Sequence, residues 1–238
     1  MSFASSVIST VVSKLKGEEF RLSAGIPASS ILALSFRRLR DLLRGAIKCT
    51  GTSKGFLPLV FAGKNVTLIN KSFIRIGKSV TLARGVYLDG MSGEGLEIGD
   101  NVSLGPFVSI ECTGSIRHLG KGCKIGDRTG IGGHSFIGAA GGVSIGNDVI
   151  MGQYVSFHSE NHNFDDLNTP IRLQGVNHKG IIIEDDCWIG SKATFLDGAR
   201  VGRGSVIGAG SVVRGDIPPY SVAAGVPAKV IRNRKIAR

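Results

Sequence analysis

The chain has 238 residues and a formal net charge of +11, with 35 glycines, four cysteines and only 20 % charged residues. The charge sits at the two ends: residues 1–54 carry nine Lys or Arg against three acids, residues 229–238 carry five against none, and the rest is balanced at fifteen of each. A neutral body without a basic stripe argues against nucleic-acid binding, and no apolar run is long enough to span a bilayer.

The opening residues, MSFASSVISTVVSKLK, lack the basic lead, strong apolar core and small-residue cleavage site of a secretion signal. Cys49, Cys112, Cys123 and Cys187 show no CxxC spacing and are expected to be reduced thiols in a cytoplasmic protein. Residues 1–55 form a helical appendage. Within it, SSILALSFRRLRDLLRGAIK, residues 29–48, places Leu32, Phe36, Leu39, Leu43 and Ile47 on one helical face and Arg37, Arg40, Arg44 and Lys48 on another. The break at Gly25 to Pro27 precedes it, and Ser29 or Ser30 can cap its start. The apolar face can cover the open end of the domain that follows or rest on an anionic membrane surface, and the need to cover a bare sheet edge favours the first.

From residue 56 to 218 the chain repeats every six residues. An apolar residue directly precedes glycine at Gly77, Gly99, Gly105, Gly126, Gly132, Gly138, Gly146, Gly152, Gly190, Gly202 and Gly208. The most regular block, IEDDCW, IGSKAT, FLDGAR, VGRGSV, IGAGSV, VRGDIP, opens on an apolar residue at 183, 189, 195, 201, 207 and 213. Its fifth positions, Cys187, Ala193, Ala199, Ser205 and Ser211, are small. Strand side chains alternate every two residues, so a six-residue unit is one short strand plus a corner, with the same position always facing inward. The chain therefore coils as a solenoid, and each shift of the hexad phase marks an insertion at a corner.

The repeat fails over residues 158–180, HSENHNFDDLNTPIRLQGVNHKG, a polar segment with three of the five histidines. An insertion of this length on a rigid coil is a loop suited to carry function. Three readings of its histidines stand open: a general base, a metal site of His158 and His162 with His134, and plain polar surface. Residues 219–238 form a basic C-terminal extension, whose Lys229, Arg232, Arg234, Lys235 and Arg238 make a solvated tail or an anion site.

Hexads such as IGDNVSLGPFVS, the loop sequence NHNFDD and the ending IEDDCWIGSKATFLDGARVGRGSVIGAGSVVRGDIPPYSVAAGVPAKVIR together resemble the left-handed β-helix acyltransferases, over about residues 65–233. Within them the chain is most similar to the sugar and polysaccharide O-acetyltransferases. The resemblance implies an all-β, left-handed parallel β-helix solenoid with an N-terminal helical appendage. It also implies a homotrimer with acetyl-CoA in the groove between neighbouring coils, and transfer of acetyl to a hydroxyl of a sugar, in a surface polysaccharide or its precursor, without a metal. By the same resemblance His162, which opens HNFD, is the catalytic histidine. Trp188 lies beside the pantetheine arm with Ser191, Gly190 and Ala209 offer backbone contacts to it, and Lys229 and Arg232 meet the CoA phosphates. The family's lysine before the aspartate of DIPP is replaced by Gly215, with Arg214 one residue earlier. N-acetylation of an amino sugar and a zinc-dependent hydratase on the same coil are the alternatives.

Overall fold

The computed structural model describes residues 25–52, 59–115 and 117–234, with positions 9, 10, 13, 19, 22 and 23 before them. The remainder of the N-terminal appendage, and Lys235 and Arg238 of the basic ending, lie outside the described residues.

From residue 60 the chain winds through three parallel sheets, each hexad supplying one strand: Ile76 falls on the third sheet, Leu82 on the first and Leu88 on the second. The first face has eight parallel strands among the described residues, from Val60–Ala62 to Ser221–Gly225, with Ala228–Asn233 added antiparallel at its edge as the ninth. The second face runs from Thr67–Ile69 to Val212–Val213 and the third from Ile74–Ile76 to Asp216–Ile217. Pairing is in register from coil to coil, so like side chains stack. Ile76, Ile98, Ile125, Ile145, Ile183, Val201 and Ile217 form one column of the core. The Phe157 and Phe195 rings stack at 4.7 Å in another. The small fifth positions are all buried, and the Ser205 and Ser211 hydroxyls donate to the carbonyls of Pro218 and Gly208 at 2.9 and 2.7 Å. This removes the cost of burying a hydroxyl without a partner.

The apolar–glycine pairs record the contact between successive coils. At Gly126, for example, a Cβ would stand 2.6 Å from the carbonyl carbon of Gly146 on the next coil. The left-handed backbone that turns the corner falls two residues later, at Arg128, with φ 55°. Phase slips of the hexads collect at one edge of the prism. Between residues 89 and 96, 111 and 123, and 158 and 181, the chain inserts extra residues as it passes from the second face to the third.

Helix α1, Ala28–Lys48, starts after Pro27, and neither Ser29 nor Ser30 caps it by a side-chain hydrogen bond. It lies along the edge strand Val60–Ala62, where Gly45 is so close that a Cβ would stand 1.7 Å from the Val60 carbonyl oxygen. Lys48 Nζ donates to the Val66 carbonyl at 2.7 Å, Arg44 to the Ala62 carbonyl at 3.4 Å, and the Arg38 guanidinium lies 5.1 Å from the centre of the Phe61 ring. This corrects the expected packing: the side bearing Arg38, Arg44, Gly45 and Lys48, with Ile31 and Leu42 half-buried, covers the coil, and the stripe of Leu32, Phe36, Leu39, Leu43 and Ile47 faces outward. The reason is the nature of the surface, because the edge of the first coil offers backbone carbonyls, which call for N–H donors. Cys49 and Thr52, just beyond the helix, are fully buried.

Candidate functional site

The inserted loop leaves the second face at His158 and rejoins the third at Ile181, so it stands on the corner between them. A short antiparallel ladder, Asn161↔Asn177 and His162↔Val176, stiffens its neck. Further out, Gln174 Nε2 donates to the carbonyls of Asp166 and Thr169, both at 2.7 Å. The base of the loop is tied down by Asp197, on the next coil. Its Oδ1 accepts the Lys179 and Gly180 N–H groups at 2.7 and 2.8 Å, and its Oδ2 accepts the Asn161 side-chain amide at 3.1 Å. One carboxylate thus grips both stems of the loop. Sequence reasoning passed over Asp197, whose only signal is an acid at an outward corner position.

The imidazole of His162 is exposed, and no hydrogen bond occupies it among the described residues. His158 lies on the outward side of the second face with its ring 6.0 Å from that of Phe136. His134 sits on a different corner, between the first and second faces, and stacks between Phe107 and Tyr154 at 5.1 and 5.0 Å. The three-histidine arrangement considered for zinc is therefore not brought together, and no group of three His, Cys, Asp or Glu side chains converges among the described residues.

The other expected site residues gather elsewhere. Trp188 projects from the first face, 59 % exposed, between Ile150 and Val206 of the adjacent strands. Gly190 and Ser191 form the next corner, and Ala209 stacks on Gly190 so closely that a Cβ on the glycine would be 2.4 Å from the Ala209 nitrogen. Lys229 and Arg232 are exposed on the last strand of the same face, opposite Ala224 and Val222. These six residues follow one strip, the first face and its corner with the second. Arg214 stands at the loop's corner instead, apart from Lys229 and Arg232.

In a three-sided coil the corner between the second and third faces lies opposite the first face. Within one chain the loop of His162 is therefore separated from the strip by the thickness of the apolar core. Beside the loop, on the third face, an open cavity of about 420 Å³ is lined by Lys121, Lys124, Lys179 and Arg200 with Glu94 and Glu97.

The profile of the bacterial transferase hexapeptide family, six repeats, matches residues 180–215. The hexapeptide-repeat acetyltransferase VCA0836 of Vibrio cholerae superposes with a TM-score of 0.51 at 30 % identity, covering 58 % of this chain and 73 % of that one. The chain belongs to the hexapeptide-repeat acetyltransferase family. Its coil is left-handed, the expected fold class. A probable acetyltransferase of Mycobacterium tuberculosis, Rv3034c, is 35 % identical over 61 % of this chain and 50 % of its own length. This chain therefore spans about half of that relative. WbbJ of Escherichia coli K12, a putative lipopolysaccharide biosynthesis O-acetyl transferase, is 28 % identical over 68 % of this chain and 73 % of its own. The matched block begins where the loop ends and includes Trp188, Gly190, Ser191, Asp197 and Ala209, while His162 precedes it.

Proposed function

We propose that the protein is an acetyl-CoA-dependent O-acetyltransferase acting on a sugar hydroxyl, in a surface polysaccharide or its precursor, and that each active site is assembled from two chains of a homotrimer. The observation that carries this reading is the separation of the parts. An exposed strip of Trp188, Gly190, Ser191, Ala209, Lys229 and Arg232 lies on one side of the coil and an exposed histidine on the opposite corner. A ring of three coils, each meeting the next through unlike surfaces, sets the loop of one chain against the strip of its neighbour. The match to VCA0836, which has been solved in complex with acetyl coenzyme A, supports the donor, and the name of WbbJ supports the acceptor class.

In this reading Trp188 flanks the pantetheine arm and Lys229 and Arg232 meet the phosphates. His162 takes the proton of the acceptor hydroxyl as its oxygen attacks the thioester carbonyl. The C–S bond then breaks and the imidazolium returns the proton to the departing thiolate, so no acyl-enzyme forms. The developing oxyanion needs a donor. The Gly190 N–H is already engaged with the Ile207 carbonyl at 2.8 Å, so the role falls to the exposed Ser191, through its hydroxyl or its N–H. The protein works in the cytoplasm, in keeping with four unpaired buried thiols.

The test is transfer of labelled acetyl from acetyl-CoA to a panel of glycans and amino sugars, from monosaccharides to polymers. Removing a general base costs about 100- to 10,000-fold in rate, so His162→Ala is expected to lose transfer while still binding acetyl-CoA. Near-wild-type transfer by that variant would overturn the assignment of His162. Selective acetylation of amino groups would overturn the hydroxyl acceptor.

A further inference from the structure

Helix α1 meets the coil with the side opposite to the one its sequence would bury. Its coil-facing side holds Arg38, Arg44, Gly45 and Lys48, engaged with Phe61, the Ala62 carbonyl, Val60 and the Val66 carbonyl. On the other side Leu32, Phe36, Leu39, Leu43 and Ile47 form a continuous stripe and are 58, 60, 53, 58 and 77 % exposed. A helix of a globular protein normally points such a stripe at its core. Here the helix is anchored against rolling, because the close approach at Gly45 exists only where there is no Cβ. The stripe must therefore be covered from outside the chain's own coil.

The charges on the helix select what covers it. Five cations, Arg37, Arg38, Arg40, Arg44 and Lys48, accompany a single acid, Asp41, and Asp41 is paired with Arg44 at 2.8 Å. Arg37 and Arg40 are exposed and make no ion pair among the described residues, and Arg40 borders the stripe at Phe36 and Leu43. A second copy of the helix laid against this one would set these cations against their own kind. An anionic surface complements them. The stripe runs about 22 Å from Leu32 to Ile47, short of the roughly 30 Å hydrocarbon core of a bilayer, and no helix among the described residues is long and apolar enough to cross a membrane. Such a helix lies in the plane of the interface.

We propose that α1 docks the protein on an anionic lipid bilayer, with Leu32, Phe36, Leu39, Leu43 and Ile47 among the acyl chains and Arg37 and Arg40 at the headgroups. This goes beyond the transferase reading, and its test needs no enzymatic activity. The full-length protein is floated with vesicles of phosphatidylcholine and phosphatidylglycerol, and with vesicles of phosphatidylcholine alone. The wild type is expected to float with the anionic vesicles, with roughly 10- to 30-fold weaker binding to the neutral ones and partial release by salt. The double variant Leu39→Glu with Leu43→Glu changes only exposed side chains, and an unchanged circular dichroism spectrum and thermal midpoint verify its fold. It is expected to stay in the unbound fraction. Arg37→Glu with Arg40→Glu is expected to abolish the preference for anionic vesicles. Wild-type protein remaining unbound with both vesicle types, or flotation unaffected by the two glutamates in the stripe, would overturn the proposal. So would an oligomer in solution that falls apart when those glutamates are introduced, because the stripe would then belong to a second copy.

Discussion

Replacing Asp197 by alanine removes the one group that holds both ends of the inserted loop. Three donors lose their acceptor: the Lys179 and Gly180 N–H groups at 2.7 and 2.8 Å and the Asn161 side-chain amide at 3.1 Å. Hydrogen bonds to a charged acceptor contribute about 1.5–3 kcal/mol each. Asp197 is half-buried and water can take over part of its role, so about 2–3 kcal/mol for the three together is the better figure. At 1.4 kcal/mol per factor of ten, that lowers the population of the anchored loop by roughly 30- to 150-fold relative to detached forms. Asn161 adjoins His162 in the chain, so the loss reaches the proposed base directly. The coil itself keeps its core, and the strip of Trp188, Lys229 and Arg232 lies on the opposite side. The expected result in steady-state transfer assays is a fall in kcat of about 10- to 100-fold with the KM for acetyl-CoA within about twofold of wild type. Amide exchange over residues 158–180 is expected to speed up while the flanking strands keep their protection. A variant with wild-type kcat, or one whose only change is a higher KM for acetyl-CoA, would refute the reasoning.

Two further outcomes concern the coil. Gly126→Ala puts a methyl 2.6 Å from backbone of the next coil, which cannot move aside as a side chain could; overpacking of this kind costs about 1–3 kcal/mol, and thermal unfolding is expected to come roughly 2–12 °C earlier. Asp185 is held below the usual carboxylate range, first by the Asn147 N–H and then by Arg203, and Asp148 is held below it by Arg128. A carboxylate whose folded pKa is depressed adds stability above its unfolded value near 3.8, and that stability is lost as pH falls toward the lower folded value. Thermal midpoints are therefore expected to fall on acidification below about pH 4, and less steeply in Asp185→Asn, whose midpoint starts lower at neutral pH. An equally steep acid limb in that variant would contradict the assignment.

The coil was legible because stacking imposes its period on the chain. Each apolar–glycine pair marks an inward side chain followed by a point where two coils touch, and both demands act on neighbouring residues. The position of the loop was legible for the same reason, since a break shows against a regular repeat. Which residues meet across the coil was not. His134 lies within the regular hexads and His162 in the inserted loop, and neither context names the corner: one sits between the first and second faces and the other opposite the first face. Only the count of strands between them separates the two corners. Asp197 was invisible because its partners are backbone N–H groups 17 and 18 residues away and a side chain 36 residues away. The packing of α1 was misread because amphipathicity names the apolar face and says nothing of the surface it meets. The edge of the first coil presents the carbonyls of Ala62 and Val66, and Arg44 and Lys48 satisfy them.

The central claim is that the base and the cofactor strip of one active site come from different chains, and subunit mixing tests it most directly. His162→Ala and Trp188→Ala are each purified, co-refolded or co-expressed in equal amounts, and assayed for transfer beside the unmixed variants. In a ring of three, an intact site needs the histidine of one chain and the tryptophan of the next, so random mixing restores about a quarter of wild-type activity. A mixture that forms mixed trimers yet is no more active than the two variants alone would contradict the account.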